Sequence, residues 1–305
     1  MNKVAAFKRK GPLERKKWSP FAIAILVILL IYSLLLAGLL YWAITTSFKS
    51  DNELINEGNY YKWPTEFTFH YASVLKNFTM SGSKGSRLTF WQIVGNTLIY
   101  ALGSAFFKTL VPCLTAYACA RFDFKPGKVV YTAVLVAMVI PIVGSLPSEL
   151  SVAYSFRIGE YSLIVNNLVG VWVLKANMLG LYFFVMYASF KAMPSTFFEA
   201  ARIDGANNWQ ILFHIAFPLI RNVFFTVLLI NFVEFWNDYQ TPMVYLSEKA
   251  TLGYSLWYKF FNDSTYSTLP IIMTTTILVS SPVVILFIVF KDRFMGSLTV
   301  GGIKG

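Results

Sequence analysis

The chain has 305 residues, of which 56% are hydrophobic, 17% aromatic and 13% charged, with a formal net charge of +11. A soluble domain carries roughly a quarter of its residues as charges, so this balance excludes an ordinary soluble enzyme or binding module and fits one helical domain in a bilayer. The positive excess calls for no nucleic acid, because Lys and Arg collect on cytoplasmic membrane faces.

Residues 1–20 are basic, with Lys3, Lys8, Arg9, Lys10, Arg15, Lys16 and Lys17 against Glu14. An apolar run from about Phe21 to Ile44 follows. It is longer than a signal-peptide core and no small-residue cleavage site closes it. It therefore reads as a retained first span with the N-terminus inside. Residues 45–91 are the longest polar segment, and Pro64, Gly82 and Gly85 predict loops and short helices there. Five more apolar runs approach the roughly 20 residues that cross a bilayer: Trp91–Cys119, Val129–Leu146, Leu163–Phe190, Val223–Tyr245 and Leu269–Phe290. The expectation is all-α, with six transmembrane helices over residues 21–290, a basic segment 1–20 and a tail 291–305. Six spans put both ends on one side. With that side inside, sixteen Lys and Arg fall inside, eight fall outside, and Lys108 and Lys175 lie within spans. This bias predicts N-in and C-in. Pro141 and Pro147 bracket Gly144 at the end of the third span, which reads either as a gating kink or as a helix end.

Cys113 and Cys119 share one apolar run and read as small buried hydrophobes rather than a disulfide or metal pair. No phosphate-binding loop of the Gly-x-x-x-x-Gly-Lys-Ser/Thr type occurs, and Gly82-Ser83-Lys84-Gly85-Ser86 lacks that spacing. His70 and His214 are isolated. The reading is a non-enzyme without a metal or cofactor of its own, driven by a partner.

Between the fourth and fifth spans, residues 191–220 form a polar island around Glu199-Ala200-Ala201-Arg202-Ile203-Asp204-Gly205, followed by Ile215 and Pro218. Pro194 with Ser195 or Thr196 predicts a helix start, and Thr196 to Glu199 has capping-box spacing. Ala200-Ala201 permits close approach of another surface. Asp204-Gly205 predicts the stop, because Gly accepts the left-handed conformation of many helix ends. A second helix is expected from about Asn207 to His214, closed by Pro218.

This spacing resembles the cytoplasmic coupling loop of ABC importer permeases, with Phe217 where the family usually has Leu. Trp236-Asn237-Asp238 and the Gly-rich end Val300-Gly301-Gly302-Ile303-Lys304-Gly305 resemble the carbohydrate-importer branch, of the maltose or multiple-sugar type. The resemblance implies a membrane subunit of a bacterial inner-membrane importer that moves an oligosaccharide inward by alternating access. It implies a second permease, two ATPase subunits that carry ATP and Mg, and an extracellular solute-binding protein. It also implies that Glu199, Ala200, Ala201, Asp204, Gly205, Ile215 and Pro218 couple to the ATPase. The alternatives are the same machinery with a non-sugar solute, or a proton-coupled secondary transporter with Lys108 and Glu234 as relay. A purely structural assembly factor is disfavoured by the polar residues of the fifth span.

Ionisable groups inside a membrane are costly and usually face protein or water. On an ideal helix Lys108 shares a face with Ala101, Ser104, Ala105, Pro112 and Thr115, small and weakly polar residues that mark a contact or cavity wall. Asn231, Glu234, Asn237 and Asp238 recur at three- and four-residue steps as one polar stripe, with Trp236 expected as a stacking surface nearby. Either these charges pair internally and hold the bundle together, or Lys108, Lys175 and the stripe line the substrate route. In the second case lysines would suit a carboxylated sugar. A cation–π contact with Trp172, one turn earlier, is a further expectation for Lys175.

Overall fold

The structure is a computed structural model. It describes residues 19–82, 85, 87–122, 124–140 and 146–298, the last eight of them as helix alone. The basic N-terminal run, Pro141, Gly144 and the Gly-rich C-terminal end lie outside the described residues.

Helix α1 spans Pro20–Thr46. Ser19 starts it by accepting from the Ala22 N–H at 3.2 Å, and Pro20 sits where a missing N–H costs nothing. Its apolar surface is exposed until Thr45 and Thr46, where α1 meets the last helix. The polar segment holds the short helices α2 (Asp51–Ile55) and α3 (His70–Asn77). An unexpected antiparallel hairpin follows, β1 (Thr79–Ser81) on β2 (Arg87–Thr89), with Met80 opposite Leu88. Lys49, one of the eight positive charges that the six-span reading puts outside, is fully buried and donates to the Asn59 carbonyl at 2.7 Å. That burial lowers the pKa of its ammonium.

Helix α4 (Phe90–Arg121) is the spine. One flank packs along α11 (Phe217–Asn237) and the other against α7 (Leu168–Lys175) and α8 (Leu181–Lys191). Ala101, Ser104, Ala105 and Pro112 are buried, as the small-residue face requires, whereas Leu98, Leu102 and Phe106 are exposed. Gly103 makes one close approach possible, since a Cβ there would lie 2.0 Å from the Trp172 ring.

The middle spans depart from expectation. The third apolar run gives α5 (Lys125–Val139) and a separate α6 (Leu146–Ser155), which has Pro147 in its first turn. A second small hairpin, β3 (Arg157–Ile158) with β4 (Tyr161–Ser162), follows. The fourth run is not one helix. Residues 176–180 separate α7 from α8, and Gly180 has φ 128°, which only glycine adopts readily. Hydropathy registers apolar content and not this break.

Next come α9 (Ser195–Ile203) and α10 (Asn208–Ile211), then a π turn (Leu212–Ala216) that runs into α11. The fifth run therefore ends as helix at Asn237 and not at Tyr245, where the short α12 (Gln240–Tyr245) ends. The remaining elements are α13 (Leu252–Asn262), a 3₁₀ turn (Ser264–Tyr266) and α14 (Leu269–Leu298). Among the described residues, four stretches are long and apolar enough to cross a membrane: Pro20–Thr46, Phe90–Arg121, Asn208–Asn237 and Leu269–Phe290. Two buried clusters divide the bundle. One surrounds Tyr100, Phe235, Trp236 and Tyr245, and the other surrounds Tyr117, Phe190, Phe198 and Phe224.

Candidate functional site

The polar island folds into a turn whose bonds are nearly all local. Pro194 occupies the cap position of α9 and no side chain caps it. The Thr196–Glu199 capping box is therefore absent, because Thr196 already lies inside the helix. Phe198 and Ala201 are buried, while Glu199, Ala200, Asp204 and Gly205 are exposed and Ile203 is 86% exposed. Gly205 has φ 80°. Its N–H donates to the Arg202 carbonyl at 3.1 Å, and the Ala206 N–H donates to the Ala201 carbonyl at 2.9 Å. These two bonds form a Schellman closure, which takes up carbonyls the helix end would leave unpaired.

Asn207 and Gln210 then cap the next helix reciprocally. The Gln210 N–H donates to Asn207 Oδ1 at 2.9 Å, and the Asn207 N–H donates to Gln210 Oε1 at 2.8 Å. This capping box, and not the expected one, organises the region. Nor does the second helix stop before Pro218. A proline lacks an N–H and its ring crowds the carbonyl four residues back. Here the preceding turn widens to π geometry, with the Phe217 N–H reaching back to the Leu212 carbonyl, and the helix continues. Ile215 is half-buried in that wide turn and Pro218 is exposed beside it.

Arg121, at the C-terminal end of α4, ties the turn to the spine. Its Nη2 donates to the carbonyls of Phe190 and Met193, the latter at 2.9 Å. Its guanidinium lies 3.8 Å from the centre of the Phe198 ring, a cation–π contact. Sequence reasoning placed Arg121 only among the inside positive charges. No local pattern could assign partners about seventy positions away.

The second feature is a cavity of about 600 Å³ where α4, α7 and the end of α11 meet. That volume is of small-ligand size. Lys108, Lys175, Glu234, Asn237 and Asp238 all border it, so five of the seven expected route residues come together. Lys108 Nζ donates to Glu234 Oε1 at 2.6 Å and lies 5.1 Å from the Phe235 ring centre. Asp238 accepts from the Tyr100 hydroxyl at 2.7 Å and from the Thr241 N–H at 3.1 Å. The Asn237 amide donates to the Val233 carbonyl at 2.9 Å. The other two residues turn away. Asn231 is fully buried and donates to Thr109 at 2.9 Å. Trp236 is 2% exposed, lies beside Phe232 and donates to the Val279 carbonyl of α14 at 3.1 Å. Trp236 is two residues beyond Glu234, about 200° round the helix, and therefore offers the cavity no stacking face. Two aromatic rings border the cavity: Phe235, near the Lys108 ammonium, and Tyr239, stacked on Trp257 at 6.0 Å and 11°. Asn177 and Gln240 also border the cavity and were missed, since the helix breaks that bring them there leave no hydropathy signal. The expected Lys175–Trp172 contact is absent, and Trp172 stacks on Phe107 instead. Each histidine bonds a backbone carbonyl, His70 that of Lys49 and His214 that of Gln210 one turn earlier.

Residues 109–296 match the family described as "Binding-protein-dependent transport system inner membrane component". The chain belongs to that family. This permease is 27% identical over 269 residues to the melibiose/raffinose/stachyose import permease protein MelC of Bacillus subtilis, covering 87% of this chain and 90% of that one. It is 23% identical over 291 residues to the arabinooligosaccharides transport system permease protein AraQ of the same organism, covering 95% and 98%. Against the diacetylchitobiose uptake system permease protein NgcG of Streptomyces coelicolor the identity is 23% over 280 residues, covering 90% and 86%. A chain in the crystal structure of a bacterial ABC transporter involved in import of the acidic polysaccharide alginate shares the permease fold. Its TM-score is 0.71 at 21% identity, over 91% of this chain and 99% of that chain. The chain is thus a transport permease subunit and a mostly helical membrane protein.

Proposed function

We propose that this permease is one of two different membrane subunits of an ATP-driven importer, and that its cargo is an oligosaccharide. The observation that carries the reading is the family match over residues 109–296, joined to three sugar-importer relatives that each align with most of the chain. The assembly would sit in a bacterial inner membrane. An extracellular binding protein would deliver the sugar, and two separate subunits would hold ATP and Mg.

Six spans with both termini inside remain the proposed topology. The spans would be α1, α4, α5 with its continuation, α7 with α8, the helix Asn208–Asn237, and α14. On that topology Gly205 and the exposed surface of α9 face the cytoplasm, where Glu199, Ala200, Asp204 and Ile203 are free to meet an ATPase subunit. Phe198 and Ala201 sit in the core, so a push on the turn reaches α4 through Arg121. The cavity bordered by Lys108 and Glu234 would be a station on the sugar's route, its amides suited to hydroxyls and Tyr239 to a sugar ring. The secondary-transporter alternative loses ground because the family works with binding proteins. The Lys108–Glu234 contact then needs no role as a proton relay.

Single cysteines in a Cys113/Cys119-free background test the topology. A cysteine replacing Ser247 should react with an impermeant thiol reagent in intact cells, and one replacing Ser195 should not. Labelling at position 195 from outside would overturn the orientation and the coupling role together. Uptake of a radiolabelled oligosaccharide by the reconstituted assembly, dependent on ATP and on the binding protein, tests the transport reading.

A further inference from the structure

We propose that Lys175 reads a carboxylate on the transported sugar, so that the cargo is an acidic, uronate-containing oligosaccharide. This deepens the sugar-importer reading and rests on it. Four ionisable side chains border the cavity: Lys108, Lys175, Glu234 and Asp238. Their formal charges cancel, but their partners do not distribute evenly. Glu234 is taken by Lys108 at 2.6 Å. Asp238 already accepts from the Tyr100 hydroxyl and the Thr241 N–H, at 2.7 and 3.1 Å. Lys108 has its carboxylate and the Phe235 ring. Lys175 alone of the four has no hydrogen bond, ion pair or ring contact among the described residues, and it is only half exposed. Trp172, the aromatic one turn earlier, is occupied by Phe107.

The backbone places this lysine deliberately at an opening. Helix α7 ends at Lys175 and the chain runs without helix to Gly180, so the ammonium stands at a break beside Asn177. The end of an eight-residue helix offers a partial negative charge of about half a unit, which is less than a counter-ion. A lysine kept within a membrane bundle usually faces a partner or a water-filled path. Glu234 and Asp238 keep acceptor capacity to spare, yet among the described residues neither bonds Lys175. A neutral sugar would satisfy the N–H donors of Lys175 without giving it an ion-pair partner. A carboxylated sugar does both, in a charge-assisted bond of the stronger kind. Asn177 and Gln240, with no bond from their amides to the cavity's carboxylates, remain for the hydroxyls of the same cargo.

The test uses the complete importer, reconstituted with its partner permease, ATPase subunits and binding protein. Uptake is compared for oligogalacturonates and oligomannuronates and for the corresponding neutral galacto- and manno-oligosaccharides. The expected result is ATP-dependent uptake of an acidic member at least tenfold above its neutral counterpart. Lys175→Met should lower that uptake at least tenfold with the amount of assembled complex unchanged, and Lys175→Arg should keep most of it. Uptake of neutral members only would overturn the proposal while leaving the sugar-importer reading intact. Uptake of neither class by an assembly that hydrolyses ATP would overturn both. If Lys175→Met lost the assembled complex, Lys175 would be paired with a partner subunit and the proposal would fall. Undiminished acidic uptake by Lys175→Met would overturn it as well.

Discussion

Between Pro194 and Pro218 the bonds that shape the turn join residues three to five positions apart, from the Schellman closure at Gly205 to the Asn207–Gln210 box. Around the cavity, besides local bonds at Asn237 and Asp238, two side-chain bonds cross the bundle, Lys108 to Glu234 and Tyr100 to Asp238, separated by 126 and 138 positions. The contrast has a mechanical meaning. A turn closed by its own backbone keeps its shape when the helices around it shift. A cavity held between α4 and α11 changes shape whenever those helices slide. An alternating-access device needs both, a stiff part to be pushed and a soft part to open and close. Arg121 connects the turn to the bundle, because it holds the end of α8 and the face of α9 from the last turn of α4, and the proposed coupling would make it the joint.

The largest effect is expected where the stiff part loses its closure. Gly205 has φ 80°, and an L side chain there costs about 1–2 kcal/mol, more when β-branched. Gly205→Val should cut transport at least tenfold while the complex still assembles. Uptake and ATP hydrolysis by purified complex are the readouts. Unchanged uptake would mean that the turn need not keep its shape. Arg121→Ala comes next. It removes two charge-assisted bonds to backbone carbonyls and a ring contact, and should destabilise the assembly by about 2–3 kcal/mol. It should lower both the yield of complex and the transport each complex performs. If yield falls and transport per complex is normal, Arg121 is a brace and not a joint.

The soft part should respond more mildly. The side chain of Glu234 is 52% exposed and that of Lys108 is 23% exposed, so their pair is worth about 1 kcal/mol. Lys108→Met and Glu234→Gln should each reduce thermal stability by about that amount. The double change should recover most of the loss, since removing both partners leaves no charge unpaired. A double variant as unstable as the sum of the singles would show that the two residues act independently. The smallest effect concerns Glu199. With no capping role in α9, Glu199→Gln and Glu199→Ala should leave helix stability within about 0.5 kcal/mol of the parent. Any transport loss in them should track the negative charge and be equal in the two. A much milder Glu199→Gln would restore a hydrogen-bonding role to that side chain.

How much of this was readable follows from the same contrast. The stop at Asp204-Gly205 was legible because the left-handed turn is a property of one residue. The positions of α1, α4 and α14 were legible because their apolar runs are continuous. The breaks at 176–180 and after Asn237 were not, since Asn177 and Asp238 sit in runs whose average hydropathy stays high. Pro218 misled for a specific reason: a π turn absorbs the ring that would otherwise end a helix. Trp236 was misassigned although the helical period places it away from Glu234. Tyr239, Asn177 and Arg121 needed the packing of α4 against α7, α8 and α11, which no local pattern encodes.

The claim at the centre is that the turn at Gly205 is the surface on which the ATPase subunit works. A photo-crosslinking residue at Ile203, 86% exposed beside that turn, measures it directly in the intact complex. A control at Asn237, by the cavity, should not reach the same partner. The account predicts a crosslink from position 203 to the ATP-binding subunit, with a yield that changes between nucleotide-free and ATP-bound states. A crosslink from position 203 to the solute-binding protein, or none to the ATP-binding subunit in a complex that transports, would contradict it.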